Sequence, residues 1–237
     1  MSQKYIAFDI ETAKEVPGDD FNWRPHRPLG ITCIASLSDD DGEPRLWHGT
    51  DADGTPASQM SQQDAAAFVR YLAEMSSDGS IPLTWNGLAF DYDILAEESG
   101  MTDECQRQAK SHVDMMFHVV CEKGFPVSLA NAASGMGVAG KLSGVSGLEA
   151  PALWAAGEYD KVLAYVAQDV RVTRSIASQS ERSRDFRWTT RRGSLGHMPL
   201  PRGWLSVSEA LRLPLPDTSW MSDPPQRNNF LAWLSAE

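Results

Sequence analysis

Only three of the 237 residues are cysteine. Cys33, Cys105 and Cys121 are odd in number, widely spaced and free of any CxxC pair. That excludes a disulfide scaffold and a cysteine-rich zinc site, and it suits a reducing, cytoplasmic setting. Long apolar runs are missing too, so no segment is expected to span a bilayer as a helix, and no membrane partner is expected. The start, Met1 to Tyr5, lacks the apolar stretch and small-residue cleavage site of a secretion signal. Positive charge is scarce: 21 Lys and Arg face 32 Asp and Glu, a net charge of −11. This excludes a protein that coats DNA by charge alone, though not an enzyme that meets nucleic acid through bound metal ions. What the chain does have is 42% hydrophobic residues, enough to build a core and to exclude global disorder.

The charge is unevenly placed. Residues 1–180 hold 13 Lys and Arg against 26 Asp and Glu, whereas residues 181–237 hold 8 against 6. The first part reads as a core domain (1–180), the second as an Arg-, Pro- and Trp-rich extension (181–237) that packs on it. The tail is expected to be ordered because Trp188, Trp204, Trp220 and Trp233 need apolar cover. Lys4–Ile10 reads as a buried strand, and 17–30 as a loop rich in Pro, Gly and Asp. Leu29–Ser38 and Glu43–His48 read as two strands of a hairpin around an Asp-Asp-Asp-Gly turn. The periodicity predicts helices over 59–75, 90–98 and 158–179, a short strand over 81–84, a helix start near Ser128 and a glycine-rich loop over 137–149. The stretch 112–120 fits either a strand or a helix.

Three acidic motifs stand out. The first strand ends in Asp9-Ile10-Glu11-Thr12. Side chains alternate across a strand, so Asp9 and Glu11 point to one side. Two adjacent carboxylates are tolerable if one is protonated, if both face water, or if a divalent cation sits between them. The second motif, Asn86-Gly87-Leu88-Ala89-Phe90-Asp91, follows a strand and opens a helix. Taken alone, that motif is better explained by an ordinary capping or first-turn role for Asp91, favoured by the helix dipole. In the third, Tyr165 and Asp169 stand four apart on one helix face, among an apolar stripe. A packed tyrosine with an acid at its exposed edge reads the same way.

In this order, strand-end D-x-E-T, then N-x-x-x-F-D, then Y-x-x-x-D, the chain resembles the DEDD superfamily of 3′–5′ exonucleases. Asp9, Glu11, Asp91 and Asp169 match its four acids, and Tyr165 matches the DEDDy subclass. Ala164 stands where the DEDDh subclass has histidine. Over residues 4–180 the chain looks most like the proofreading exonuclease domain of family B DNA polymerases and its stand-alone relatives. The resemblance implies an α/β, ribonuclease H-like fold: a mixed sheet of about five strands, the first three antiparallel, flanked by helices. It implies a metal-dependent 3′–5′ exonuclease on single-stranded or frayed DNA, with two divalent cations, Mg2+ or Mn2+, held by Asp9, Glu11, Asp91 and Asp169. Tyr165 would orient or help deprotonate the attacking water. Thr12 and Asn86 match positions that contact the 3′-terminal nucleotide in relatives. Phe90 would line that pocket or pack in the core, and Lys141 would meet a phosphate or simply face solvent.

Two other functions share these features: an exoribonuclease that trims RNA, and a catalytically silent nucleic-acid-binding module. Replication or repair partners are unspecified. Asp114 reads either as a strand-end acid or as a support or substrate contact. Trp23, Arg24, His26 and Arg27 mix aromatic and basic types in a way that suits single-strand contact, or a packed loop. The arginines at 182, 184, 187, 191, 192 and 202 would track a phosphate backbone or bridge to the acidic core.

Overall fold

The computed structural model describes residues 3–17, 22–140 and 146–234. Its centre is a five-stranded sheet in the order β3-β2-β1-β4-β5. The strands are β1 (Tyr5–Thr12), β2 (Ile31–Ser38), β3 (Arg45–His48), β4 (Ile81–Thr84) and β5 (Val113–Asp114). β1, β2 and β3 pair antiparallel, and β4 and β5 add on parallel to β1.

Alternation along β1 divides the core. Tyr5 and Ala7 join one apolar cluster, while Ile6, Phe8 and Ile10 join the other. The second face is covered by α1 (Gln62–Ser77), α2 (Asp91–Ser99) and α3 (Thr102–Ser111). Ser61 starts α1 with a capping box against Asp64, and Gly100 ends α2 in the left-handed conformation that a Cβ disfavours. The 112–120 stretch turns out to be both kinds of element. Two residues pair as β5, and Asp114 then caps α4 (Met115–Lys123) through Phe117 N–H.

The first face is covered chiefly by α7 (Tyr159–Ser183), whose Val162, Val166 and Val170 pack against Ala7, Cys33 and Ala35. α5 (Leu129–Met136), started by Ser128, and α6 (Ala150–Ala155) complete that layer. The tail forms a hairpin of β6 (Asp185–Thr189) and β7 (Leu195–Pro199), then short helices α8 (Val207–Ala210) and α9 (Arg227–Leu231). Phe186, Trp188, Met198 and Trp204 enter the α7-side core, and Leu205, Val207 and Leu234 enter the other. Of the four tail tryptophans, Trp188 and Trp204 are buried, but Trp220 is 66% exposed. Gly135 has no Cβ because one would stand 2.2 Å from the Trp188 backbone, so α5 and β6 meet backbone to backbone. Among the described residues no helix is long and apolar enough to cross a membrane.

Candidate active site

β1 carries Asp9 and Glu11 in the same phase as Tyr5 and Ala7, so both carboxylates lie on the face that α7 covers. Glu11 is buried and Asp9 half-buried. The β1–β2 register slips between Glu11 and Thr12, a local irregularity of the kind that re-aims side chains at a strand end. Thr12 is itself buried just beyond the slip. Opposite Glu11 on β2 sits Cys33, whose thiol is pushed up by burial and then by the charges of Glu11 and Asp9.

The third acid arrives from α2. β4 pairs with β1 only as far as Ala7, so Ile10 N–H lies beyond that ladder. Asp91 Oδ1 accepts it at 3.1 Å, from a residue 81 positions later. That bond lays Asp91 against the backbone between Asp9 and Glu11. Asp91 is buried, and burial pushes its carboxyl up to about 7, with the charge of Asp114 adding to the effect and backbone N–H groups opposing it.

The fourth acid comes from α7. Tyr165 and Asp169 are both buried, one turn apart on the helix that faces β1. Gly147, ahead of α6, shows where helix and strand converge. A Cβ placed there would stand 3.9 Å from Tyr165 Oη and 4.0 Å from Glu11 Oε2. The bare backbone of Gly147 therefore forms one wall of the site. Nothing in the sequence marks that glycine out from its neighbours in a glycine-rich stretch.

The loop carrying Asn86 is braced from below. Asp114, fully buried, accepts Asn86 N–H at 3.0 Å and Leu88 N–H at 2.9 Å. Burial pushes its carboxyl up to about 6 despite those bonds. Thr84 Oγ1 takes Gly87 N–H at 3.1 Å and is held by His112 Nε2, also at 3.1 Å. Burial lowers the pKa of His112 to about 4, so the ring is neutral. Asn86 has φ 73°, a left-handed conformation that asparagine tolerates better than most residues. Asp114 thus supports the second motif from inside, one of the two roles open to it in the sequence. The tail also reaches this loop, where Trp233 Nε1 donates to Leu88 O at 2.6 Å.

The remaining candidates fall in different places. Phe90 stands edge-on to the buried Trp23, ring centroids 5.5 Å apart. Arg27 of the same loop pairs with Asp93 at 2.9 Å and Glu97 at 2.8 Å. The Trp23–Arg27 segment is therefore largely packed onto α2, the plainer of its two readings. Lys141 lies outside the described residues.

Among the described residues, no three His, Cys, Asp or Glu side chains stand close enough to hold an ion in the rotamers seen. The acids share a neighbourhood, not a coordination sphere. Their chemistry nonetheless fits a hard cation: every donor is a carboxylate oxygen, and Glu11, Asp91 and Asp169 are buried.

A family model described as the RNase H superfamily matches residues 47–180. The match takes in Asp91, Tyr165 and Asp169 and begins beyond Asp9 and Glu11. No curated protein matches the chain. Among solved structures the chain is similar to the family B DNA polymerase from the hyperthermophilic archaeon Pyrobaculum calidifontis. The TM-score is 0.55, with 20% identity over 76% of this chain and 25% of the polymerase. The chain thus spans about a quarter of that polymerase's length, and at this identity the likeness speaks for the fold. The family match covers more than half of the residues, and the sheet is mixed and five-stranded with its first three strands antiparallel, as expected. The chain belongs to the RNase H superfamily.

Proposed function

We propose that the chain is a metal-dependent 3′–5′ exonuclease acting on single-stranded DNA or frayed 3′ ends. The observation that carries this reading is the Asp91–Ile10 bond. It sets the acid of the second motif between the two acids of the first, on the strand that the helix bearing Tyr165 and Asp169 packs against. Asp9, Glu11, Asp91 and Asp169 would hold two divalent cations, Mg2+ or Mn2+. Bound there, the cations supply an acidified water and charge relief at the leaving oxygen.

The protein's own part is positional. A phenol is a poor base at neutral pH, so Tyr165 would serve to orient the water by hydrogen bonding. Thr12 and Asn86 would flank the terminal nucleotide, Asn86 with its backbone fixed by Asp114. The half-buried Phe90, seated on Trp23, gives that pocket a rigid aromatic edge.

The test is a 5′-labelled oligonucleotide incubated with Mg2+, Mn2+ or chelator, beside an RNA of the same sequence. A ladder shortening from the unlabelled end, abolished by chelator and weaker on RNA, is expected. Faster RNA trimming would make the chain an exoribonuclease. Internal cuts, or no release with Mn2+, would overturn the reading in favour of an endonuclease or a silent binding module.

A further inference from the structure

At the opposite end of the sheet from the acids, a cleft of about 890 Å3 opens beside Tyr5, lined among others by Lys4, Arg174, Glu181, Arg182, Arg184 and Arg202. Its acids are already engaged. Asp40 pairs with Lys4 at 2.6 Å and Asp39 with Arg174 at 2.9 Å. Glu181 accepts from Tyr5 Oη at 2.6 Å and from Trp204 N–H at 3.3 Å. Arg182, Arg184 and Arg202 are exposed, and none forms an ion pair among the described residues. A chain of net charge −11 therefore gathers Lys4, Arg174, Arg182, Arg184 and Arg202 against only Asp39 and Glu181 on one concavity. Arg184 holds its place at φ 55°, in the left-handed cap of α7 where glycine is the usual choice. Arg182 and Arg184 also complement the helix C-terminus. Arg202, from the segment between β7 and α8, has no such duty.

We propose that this cleft binds the phosphate backbone of the single strand upstream of the end being cut. The inference rests on the exonuclease reading and deepens it. Asp169 and Arg182 lie on one helix, and at 1.5 Å per residue they stand about 20 Å apart. A stacked strand carries one phosphate about every 3.4 Å, so a strand seated at the acids reaches the cleft after about six nucleotides. Forked guanidiniums suit phosphate oxygens, and isolated phosphates without a chain between them would gain nothing from that spacing.

Anisotropy titrations in chelator, with labelled oligothymidylates of four and twelve nucleotides, test this. R202Q and R182Q/R202Q are compared with wild type and with R70Q, an exposed arginine on α1. The double variant should bind the 12-mer at least tenfold more weakly, with the 4-mer unchanged. At about 0.7 per lost contact on a single strand, its log Kd against log salt slope should fall by about 1.4. R202Q alone should show about half of that, and R70Q none. Equal affinity for the 12-mer, or equal loss on both lengths, would overturn the proposal. So would an unchanged 12-mer affinity with lost binding to phosphatidylserine vesicles, which would assign the cleft to a membrane surface. Hydrolysis of the 4-mer with Mn2+ is read separately. If wild type cuts neither length, the exonuclease reading fails, and the anisotropy still decides the cleft.

Discussion

Each acid depends on a neighbour that fixes it. Asp9 and Glu11 are set by strand parity, which is why their common face could be read from the sequence. Asp169 follows from the i, i+4 spacing to Tyr165 and the apolar stripe around them. Asp9→Ala or Asp169→Asn should abolish nucleotide release, a fall of at least a thousandfold, with circular dichroism unchanged; full activity in either purified variant would refute the assignment. If the phenol orients water as proposed and does not grip the strand, Tyr165→Phe should lower kcat tenfold or more and leave KM within about twofold. What the sequence did not show was Gly147, or the grip of Asp91 on Ile10 N–H. Both depend on where two distant backbones meet, and no local pattern encodes that.

At the level of elements, the turn after β4 is the most heavily supported piece of the site. Asp114→Asn keeps the shape but replaces one accepting oxygen with an NH2 group facing a backbone N–H. It should cost about 1–3 kcal/mol of stability, the usual penalty for a buried bond lost, read by urea unfolding. Gly87→Ala would drive a Cβ to 2.5 Å from Thr84 Oγ1 and should cost about as much, as overpacking does. An unchanged midpoint in either variant would mean that the turn relaxes freely. The elements legible in the sequence, from apolar patterning and turn residues, were β1, β2, β3, α1, β4, α2 and α7. α3 escaped notice because it buries little apolar side chain beyond Cys105 and Ala109. α6 was hidden beside a glycine-rich run, and the β6–β7 hairpin behind a dense set of arginines. The 112–120 stretch looked ambiguous because it changes element after two residues.

For the whole molecule, opposing titrations set the behaviour with pH. Asp91 and Asp114 hold their protons more tightly when folded, so their stabilisation is complete below about 4 and drains as pH rises through about 6 and 7. Burial lowers the pKa of His112 and His118 to about 4, and their contribution is lost as pH falls from the ordinary 6.5 through that value. The two windows overlap, which should leave metal-free stability nearly flat across it. Cations should break that balance: at pH 8 Asp91 is ionised and free of its competing proton, and at pH 5.5 it is not. The rise in Tm with Mn2+ should therefore grow between pH 5.5 and 8, and vanish in Asp91→Asn; a shift independent of pH would show the ion binding elsewhere. We further propose that residues 181–237 are an extension on which the core relies. Trp204→Ala should cost about 3–5 kcal/mol, as loss of a fully buried tryptophan does, and a chain ending at 184 should fail to give a cooperative melt. The docking of α7 over β1 has one more consequence. The candidate site's parts are spread from Asp9 to Asp169, and the last of them is made well after the first. On the proposed reading, a growing chain would have no competent centre until that helix seats itself, so hydrolysis would be withheld from every half-finished copy and from any copy that has lost its final fold.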